Sequence, residues 1–396
     1  MKKTKLWQTD KDSSLHPLVE DYTVGNDQQL DQKLLGYDIQ ASIAHAQMLY
    51  SIGILKKNEA VKISNCLSEL KILWEQDKFT IKSEHEDGHT AIEDYLVEKL
   101  GNTGKKIHTG RSRNDQVLVM LRLYMIEQLN EIDRLCELVC KALENKIQKH
   151  GNQPMPGYTH MQKAMPTTLA VWLGSYLDGF RDMQKLIAAS QEILDQNPLG
   201  SAAGFGVSIE LDKQMTADLL GFMKVQENPM YCGLSRGLFE LVVVQGMHPI
   251  MVLAGKFAQD MLLFTTQEFA YFSLPDAFVT GSSIMPQKKN YDLFEVMRGN
   301  AHKFSGYIVQ LSAISGGIGS GFQRDLQLTK PILIEATEVT ITTLNVLTKS
   351  INSLMVHEDN LSGAITEEMK SVEKINQLVM QGVPFRDAYQ KVKKNL

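Results

Sequence analysis

The stretch from Asn114 to His150, NDQVLVMLRLYMIEQLNEIDRLCELVCKALENKIQKH, decides the fold class. It contains neither proline nor glycine. Leu118, Leu121, Met125, Leu129, Ile132, Cys136, Val139, Leu143 and Ile147 recur in it at steps of three and four, the spacing of one face of an α-helix. At 1.5 Å per residue such a helix is roughly 55 Å long, several times the ordinary length. An apolar stripe of that length must be covered by other helices. One chain supplies few helices of matching length, so association through the helices is expected.

Outward from this segment the helical patterning continues. Gln40–Leu55 is apolar at Ile43, Ala44, Met48 and Ile52, and Glu59–Leu73 is a second amphipathic run. Further helices are expected from near Pro166, read as a first-turn proline, toward Asp195, and from about Ser235 to Tyr271 with a kink at Pro249. Two more are expected over Tyr291–Ile314 and Lys330–Leu354. Connectors fall at Gly151–Met165, Gly200–Gly206, Phe278–Asn290 and Ser315–Gln327. Strand-like alternation is scarce, so the fold reads as mainly α. Gly101, Gly104 and Gly110 close a first region of shorter helices at residues 1–110.

The balance of 43% hydrophobic and 22% charged residues is that of a globular protein, and 396 residues suggest two or three domains. A net charge of -5 argues against general nucleic-acid binding. The four cysteines, Cys66, Cys136, Cys140 and Cys232, form no C-x-x-C pair. Cys136 and Cys140 sit in the helical stripe and read as core packing rather than metal ligands. Thiols that read as reduced, the lack of an apolar leader in Met1–Asp10, and the lack of about 18 unbroken apolar residues lead to the expectation of a cytoplasmic chain without a membrane span.

The connectors carry the reactive side chains. His108-Thr-Gly-Arg-Ser-Arg-Asn-Asp-Gln116 places Arg111, Ser112 and Asn114 at the start of the long helix, where free N–H groups attract carboxylates. The bland alternative is that Ser112 or Asn114 simply caps that helix. Met155-Pro-Gly-Tyr-Thr-His-Met-Gln162 offers His160 as a proton carrier, or as a structural histidine. Thr280-Gly-Ser-Ser-Ile-Met-Pro-Gln-Lys-Lys-Asn290 sets two hydroxyls beside two lysines and an amide, or is a solvated turn. Gln327 and Lys330 stand three apart and can share a helix face.

Taken together and in order, His108–Gln116, Gly157–Gln162 and Gly281–Asn290 resemble the three signature regions of the fumarase/aspartase superfamily. The Thr109-Gly-Arg-Ser-Arg-Asn-Asp-Gln and Gln287-Lys-Lys-Asn strings are similar to those of the argininosuccinate lyases within it. The resemblance runs from about Asp21 to Lys393. It implies a fumarase/aspartase-like fold: a central long-helix bundle, residues 111–355, flanked by two small helical domains, residues 1–110 and 356–396. It also implies a homotetramer with each site shared by three chains. The implied reaction is cleavage of argininosuccinate to arginine and fumarate with no cofactor and no metal. By the same resemblance Ser282 is the base, ahead of Ser283, with Lys288, Asn290 and loop amides as candidate stabilisers of its alkoxide. His160 is, or orients, the acid, and Glu295 is its partner. Ser112, Arg113, Asn114 and Thr159 hold the succinyl end, Lys288 and Asn290 the reacting carboxylate, and Arg236 another carboxylate. Gln327 and Lys330 contact the succinyl or the arginine part, His89 is a second site histidine, and Asp27 and Asp31 lie near the arginine moiety.

Three departures stand against the family pattern. Phe322 replaces a tyrosine, Tyr291 replaces a proline, and the sequence ends at Leu396, short of typical members, so a trimmed C-terminal domain is expected. The rival readings are a superfamily lyase acting on adenylosuccinate or aspartate, and an inactive structural paralogue.

Overall fold

The computed structural model describes residues 15–82 and 84–395; the leader reading at Met1–Asp10 lies outside them. Fourteen α-helices are present among the described residues. They are α1 (Pro17–Val24), α2 (Asp27–Ser51), α3 (Lys57–Glu75), α4 (Gly88–Leu100), α5 (Arg113–His150), α6 (Leu169–Leu194), α7 (Lys213–Leu220), α8 (Pro229–Ser235), α9 (Leu238–Phe264), α10 (Asp292–Gly316), α11 (Thr329–Ser353), α12 (Glu358–Gly363), α13 (Ser371–Met380) and α14 (Phe385–Lys393). The deciding stretch is one unbroken helix of 38 residues. Of the nine stripe residues, all but Ile147 are buried, Cys136 among them. The chain is mainly α, as its patterning implied.

Two expectations need correction. Pro166 does not open a helix. It lies in β2 (Gln162–Thr168), which pairs antiparallel with β1 (Pro154–Thr159), with Pro156 opposite Pro166. A two-stranded ribbon has only edges, so prolines that lack a ladder donor are tolerated there, and α6 begins three residues later at Leu169. The helix expected to run to Tyr271 ends at Phe264; Pro249 does lie inside it. By length and composition α9 could cross a membrane, but 56% of its most apolar window is buried, which is the burial of a core helix.

The chain divides into two compact units, each discontinuous in sequence. Unit 1 comprises Met1–Asn130 (described from Leu15), Ala188–Gln245 and Gly306–Thr337. Its core packs Leu35, Ile39 and Leu49 of α2 against Ile63, Leu67 and Leu70 of α3 and Ile92 and Leu96 of α4. A second cluster joins Ala41 and Ala44 to Val119, Leu123, Leu199 and Phe222. Unit 2 comprises Glu131–Ile187, Gly246–Ser305 and Glu338–Leu396 (described to Asn395). Its aromatic core stacks Trp172 on Phe257 and on Phe272, and the buried donors of Trp172 and Tyr176 both reach Asp260, at 2.9 and 2.6 Å. Burying these rings repays their polar ends only because that carboxylate accepts from both.

Candidate active site

In unit 1 the site begins at the N-terminus of α5. Ser112 caps it, its Oγ accepting from the Asn114 N–H at 3.3 Å, while Asp115 Oδ1 accepts from the Ser112 N–H at 2.9 Å. Asp115 is fully buried, and its other oxygen takes the N–H groups of Gly200 and Ala202 at 3.1 and 2.9 Å. One carboxylate thus fixes both the helix start and the Gly200–Gly206 connector. Arg111 is buried, with its guanidinium on Ser42 Oγ at 2.9 Å, and His45 Nε2 meets the Thr109 carbonyl at 2.9 Å. Burial holds the His45 pKa well below the usual histidine value, so this imidazole is neutral scaffolding under the loop.

Two cavities, about 560 and 160 Å³, share His89, Arg113 and Asn114 in their walls. The smaller is also lined by Asp27, Asp31, Arg236, Phe322, Gln327 and Lys330. Unit 1 therefore gathers ten of the expected residues: Asp27, Asp31, His89, Arg111, Ser112, Arg113, Asn114, Arg236, Gln327 and Lys330.

Several of these already have partners. Lys330 Nζ lies 2.6 Å from Asp27 Oδ1 and 2.7 Å from Asp31 Oδ1. Asp31 also accepts from the Gly88 N–H at 3.0 Å. The acidic pair expected to face a guanidinium is thus partly neutralised from within the chain. Burial nevertheless raises the Asp27 pKa, against the lowering pull of Lys330. Arg113 is likewise engaged, on Glu86 at 3.0 Å, Asp87 at 3.2 Å and Thr90 at 2.9 Å. Gln327 donates to the carbonyls of Thr23 and Val24 at the end of α1. Phe322 is 42% exposed on the cavity wall.

His89 and Arg236 are better placed to act on a ligand. His89 Nδ1 is 2.5 Å from Asp38 Oδ2. Burial alone would lower its pKa, but Asp38, then Asp87 and Asp31, outweigh this and raise it. Asp38 escaped the sequence reading, although Asp31 and Asp38 stand two helical turns apart among the buried residues of α2. Arg236 is buried, with Nε 2.8 Å from Glu240 Oε1 and Nη2 donating to the Leu326 carbonyl at 3.0 Å. Its Nη1 has no partner, and its side chain lines the smaller cavity.

Unit 2 holds Thr159, His160, Ser282, Lys288, Asn290 and Glu295. Thr159 closes β1, and the two-residue turn to β2 is His160-Met161, at φ +52° and +61°. Both residues are left-handed, which is the type I′ geometry that normally selects Asn-Gly. A histidine held there is a strained side chain on display, a common mark of a functional position. Ser282 follows β4 (Thr280–Gly281), which pairs with β5 (Lys289–Asn290) to close the connector into a small loop. The Oγ of Ser282 accepts from the backbone N–H groups of Met285 at 3.0 Å and Ile284 at 3.3 Å. Asn290 Nδ2 reaches the Gly281 carbonyl at 3.5 Å. Thr159, His160, Lys288 and Glu295 are exposed, and among the described residues the side chains of His160, Lys288 and Glu295 make no hydrogen bond or ion pair. Tyr291 stacks on Phe294 just before α10, and α10 is tied at its first residue by Thr280 Oγ1 to Asp292 at 2.5 Å.

The class of protein to which this mainly helical chain belongs is the lyases. A family model described as lyase matches residues 17–306. Among solved structures the chain is similar to an EDDS lyase variant with bound fumarate, with a TM-score of 0.81 at 22% identity over 96% of this chain and 76% of that one. It is also similar to a fumarate lyase:delta crystallin from Brucella melitensis, with a TM-score of 0.76 at 15% identity over 93% and 84%. These likenesses establish the fold. The argininosuccinate lyase of Thermotoga neapolitana is 42% identical over 98% of this chain and 97% of its own length. That of Sorangium cellulosum is 39% identical over 98% and 90%. The chain belongs to the argininosuccinate lyase family.

Proposed function

We propose that this chain catalyses the reversible β-elimination of argininosuccinate to arginine and fumarate, the last step of arginine biosynthesis. Identity spread over the full length of argininosuccinate lyases supports the substrate assignment. The structural observation that carries the chemistry is the pair of loop amides on Ser282 Oγ. A serine hydroxyl is a weak base, and its alkoxide needs stabilising dipoles. Two converging N–H groups supply them.

In this scheme Ser282 Oγ removes a proton from the succinyl carbon beside a carboxylate. The electron pair spreads into that carboxylate as an aci-carboxylate, which Lys288 and Asn290 stabilise. The pair then returns to form the fumarate double bond, and the bond from the neighbouring carbon to the guanidino nitrogen breaks. His160, backed by Glu295, delivers or orients the proton that the leaving nitrogen takes up. Ser112, Asn114 and Thr159 grip the succinyl end, and Arg236 binds a carboxylate through its free Nη1. Gln327, Lys330 and His89 line the remaining contacts. Asp27 and Asp31 hold Lys330 and reach the arginine part only if that pairing loosens, and Arg113 reaches the succinate on the same condition.

We also propose the homotetramer, with three chains contributing to each site, and the division into residues 1–110, 111–355 and 356–396. Exposed, unpartnered His160, Lys288 and Glu295 support sites completed by other copies, as do Val171, Val296 and Val309 exposed on long helices at 65%, 61% and 66%. The proposed setting is the cytoplasm, with no nucleic-acid or membrane partner. A substrate panel tests the assignment: fumarate absorbance should rise with argininosuccinate and stay flat with adenylosuccinate and aspartate. Release from adenylosuccinate or aspartate alone would reassign the substrate, and no release from any would favour an inactive structural paralogue.

A further inference from the structure

We propose that Arg122 is a positioning residue for Arg236, aiming its buried Nη1 group, which has no hydrogen-bond partner among the described residues, at a carboxylate. The inference rests on the carboxylate-binding reading of Arg236 given above.

Arg122 lies on α5, eight residues beyond Asn114. It is only 1% exposed. Its Nη1 donates to the Gln196 carbonyl at 2.5 Å and to Gln226 Oε1 at 2.8 Å, its Nη2 donates to Ser235 Oγ at 2.8 Å, and its guanidinium lies over the Phe239 ring, 4.7 Å from the centroid. None of these partners is a carboxylate. Burial pulls the Arg122 pKa down to about 10, with Cys232 and the Glu240 carboxylate opposing, so it remains a cation at neutral pH whose hydrogen-bond acceptors are all neutral. A buried cation in that state is expensive, and an apolar side chain of similar volume usually serves packing as well or better. Something other than packing is needed to account for it.

The partners supply that account. Ser235 ends α8, Phe239 is in the first turn of α9, and Arg236 stands between them. Arg122 therefore grips the chain on both sides of Arg236. The link has little room elsewhere. Gly237 adopts φ +79°, and a Cβ there would lie 2.4 Å from Ser315 Oγ. The Gly237 N–H is held by Glu240 Oε2 at 2.7 Å, and the other oxygen of Glu240 takes Arg236 Nε. With Nη2 on Leu326, the direction of Nη1 follows from the path of the backbone, and Arg122 sets that path. The fork geometry matters, because three acceptors in different directions suit a planar guanidinium and not a single ammonium.

The test measures kcat and KM separately for fumarate release from argininosuccinate, in the full-length chain, for Arg122→Met, Arg122→Lys, Ser235→Ala, Arg236→Gln and the Arg122→Met/Arg236→Gln double variant. Positioning predicts that Arg122→Met raises KM about tenfold with kcat nearly kept, and that Arg122→Lys fails to rescue it. Ser235→Ala should move KM the same way by less, and it remains informative if Arg122→Met does not fold. In the Arg236→Gln background Arg122→Met should add less than about twofold, since the group it aims is gone. Equal effects of Arg122→Met in both backgrounds, or an unchanged KM in Arg122→Met and Ser235→Ala while Arg236→Gln raises it, would overturn the positioning role. An unchanged KM in Arg236→Gln instead overturns the carboxylate reading of Arg236 itself.

Discussion

Replacing Asp115 tests whether the start of the long helix is held by a single carboxylate. In the native chain that group is fully buried and accepts three backbone N–H groups, from Ser112, Gly200 and Ala202. Burial pushes its carboxyl pKa up, and the three N–H groups oppose this. Asp115→Ala leaves three buried donors unpaired, at ~1–3 kcal/mol each. Water entering the vacated volume recovers part of that sum, so the expected loss is about 3–5 kcal/mol. Asp115→Asn keeps one acceptor oxygen and turns the other position into a donor, so either Ser112 or the Gly200–Ala202 pair loses its partner, and about half that loss is expected. The assay is denaturant unfolding at pH 7, with midpoints compared at constant slope. Because Ser112 and Asn114 sit on the same turn, KM for argininosuccinate should rise in the Asn variant. A loss below about 1 kcal/mol in Asp115→Ala would refute the clamp. Lost stability with KM unchanged would separate the clamp from the substrate grip.

Further outcomes follow from single observations. His89 has a pKa raised by Asp38 against burial, so the stability of this pair is fully present below the ordinary histidine value of about 6.5 and fades as pH rises through the folded value. The stability gap between the native chain and His89→Gln should therefore narrow in melts from pH 6 to 9; a constant gap contradicts the pairing. His160→Gly relieves a left-handed turn residue at φ +52°, so thermal stability should hold or rise by ~1 kcal/mol while fumarate release collapses. A destabilised variant would show that the imidazole is structural. Gly237→Ala places a Cβ 2.4 Å from Ser315 Oγ at a φ of +79° and should cost ~2 kcal/mol or more in a denaturant melt. A neutral result would show that the α8–α9 link is pliant.

Much of the fold was legible because its signals are long. A stripe of nine apolar residues across α5 leaves little ambiguity, and eight of them are buried. The β1–β2 hairpin was not legible. Its strands carry Pro154, Pro156 and Pro166 and no clean alternation, and proline beside a polar run reads equally as a helix start. The candidate site residues were legible as reactive types in connectors: Ser282 lies in a loop, His160 in a hairpin turn and Ser112 at a helix start, while their roles belong to the proposed function. Their partners were not. Sequence spacing cannot tell that Lys330 pairs with both Asp27 and Asp31, or that Arg113 is shared among Glu86, Asp87 and Thr90, because those contacts join segments far apart in the chain. Arg122 was hidden for the opposite reason: a long side chain in a helix normally reads as solvated, and its burial comes from the tertiary packing.

The central claim is that Ser282, its oxygen held by the amides of Ile284 and Met285, takes the succinyl proton. Comparing kcat for fumarate release by the native chain, Ser282→Ala and Ser283→Ala tests it most directly. The expected result is a fall of about 10²–10⁴-fold for Ser282→Ala, with Ser283→Ala within a few fold of native. Equal rates for the native chain and Ser282→Ala, or a collapse confined to Ser283→Ala, would contradict it.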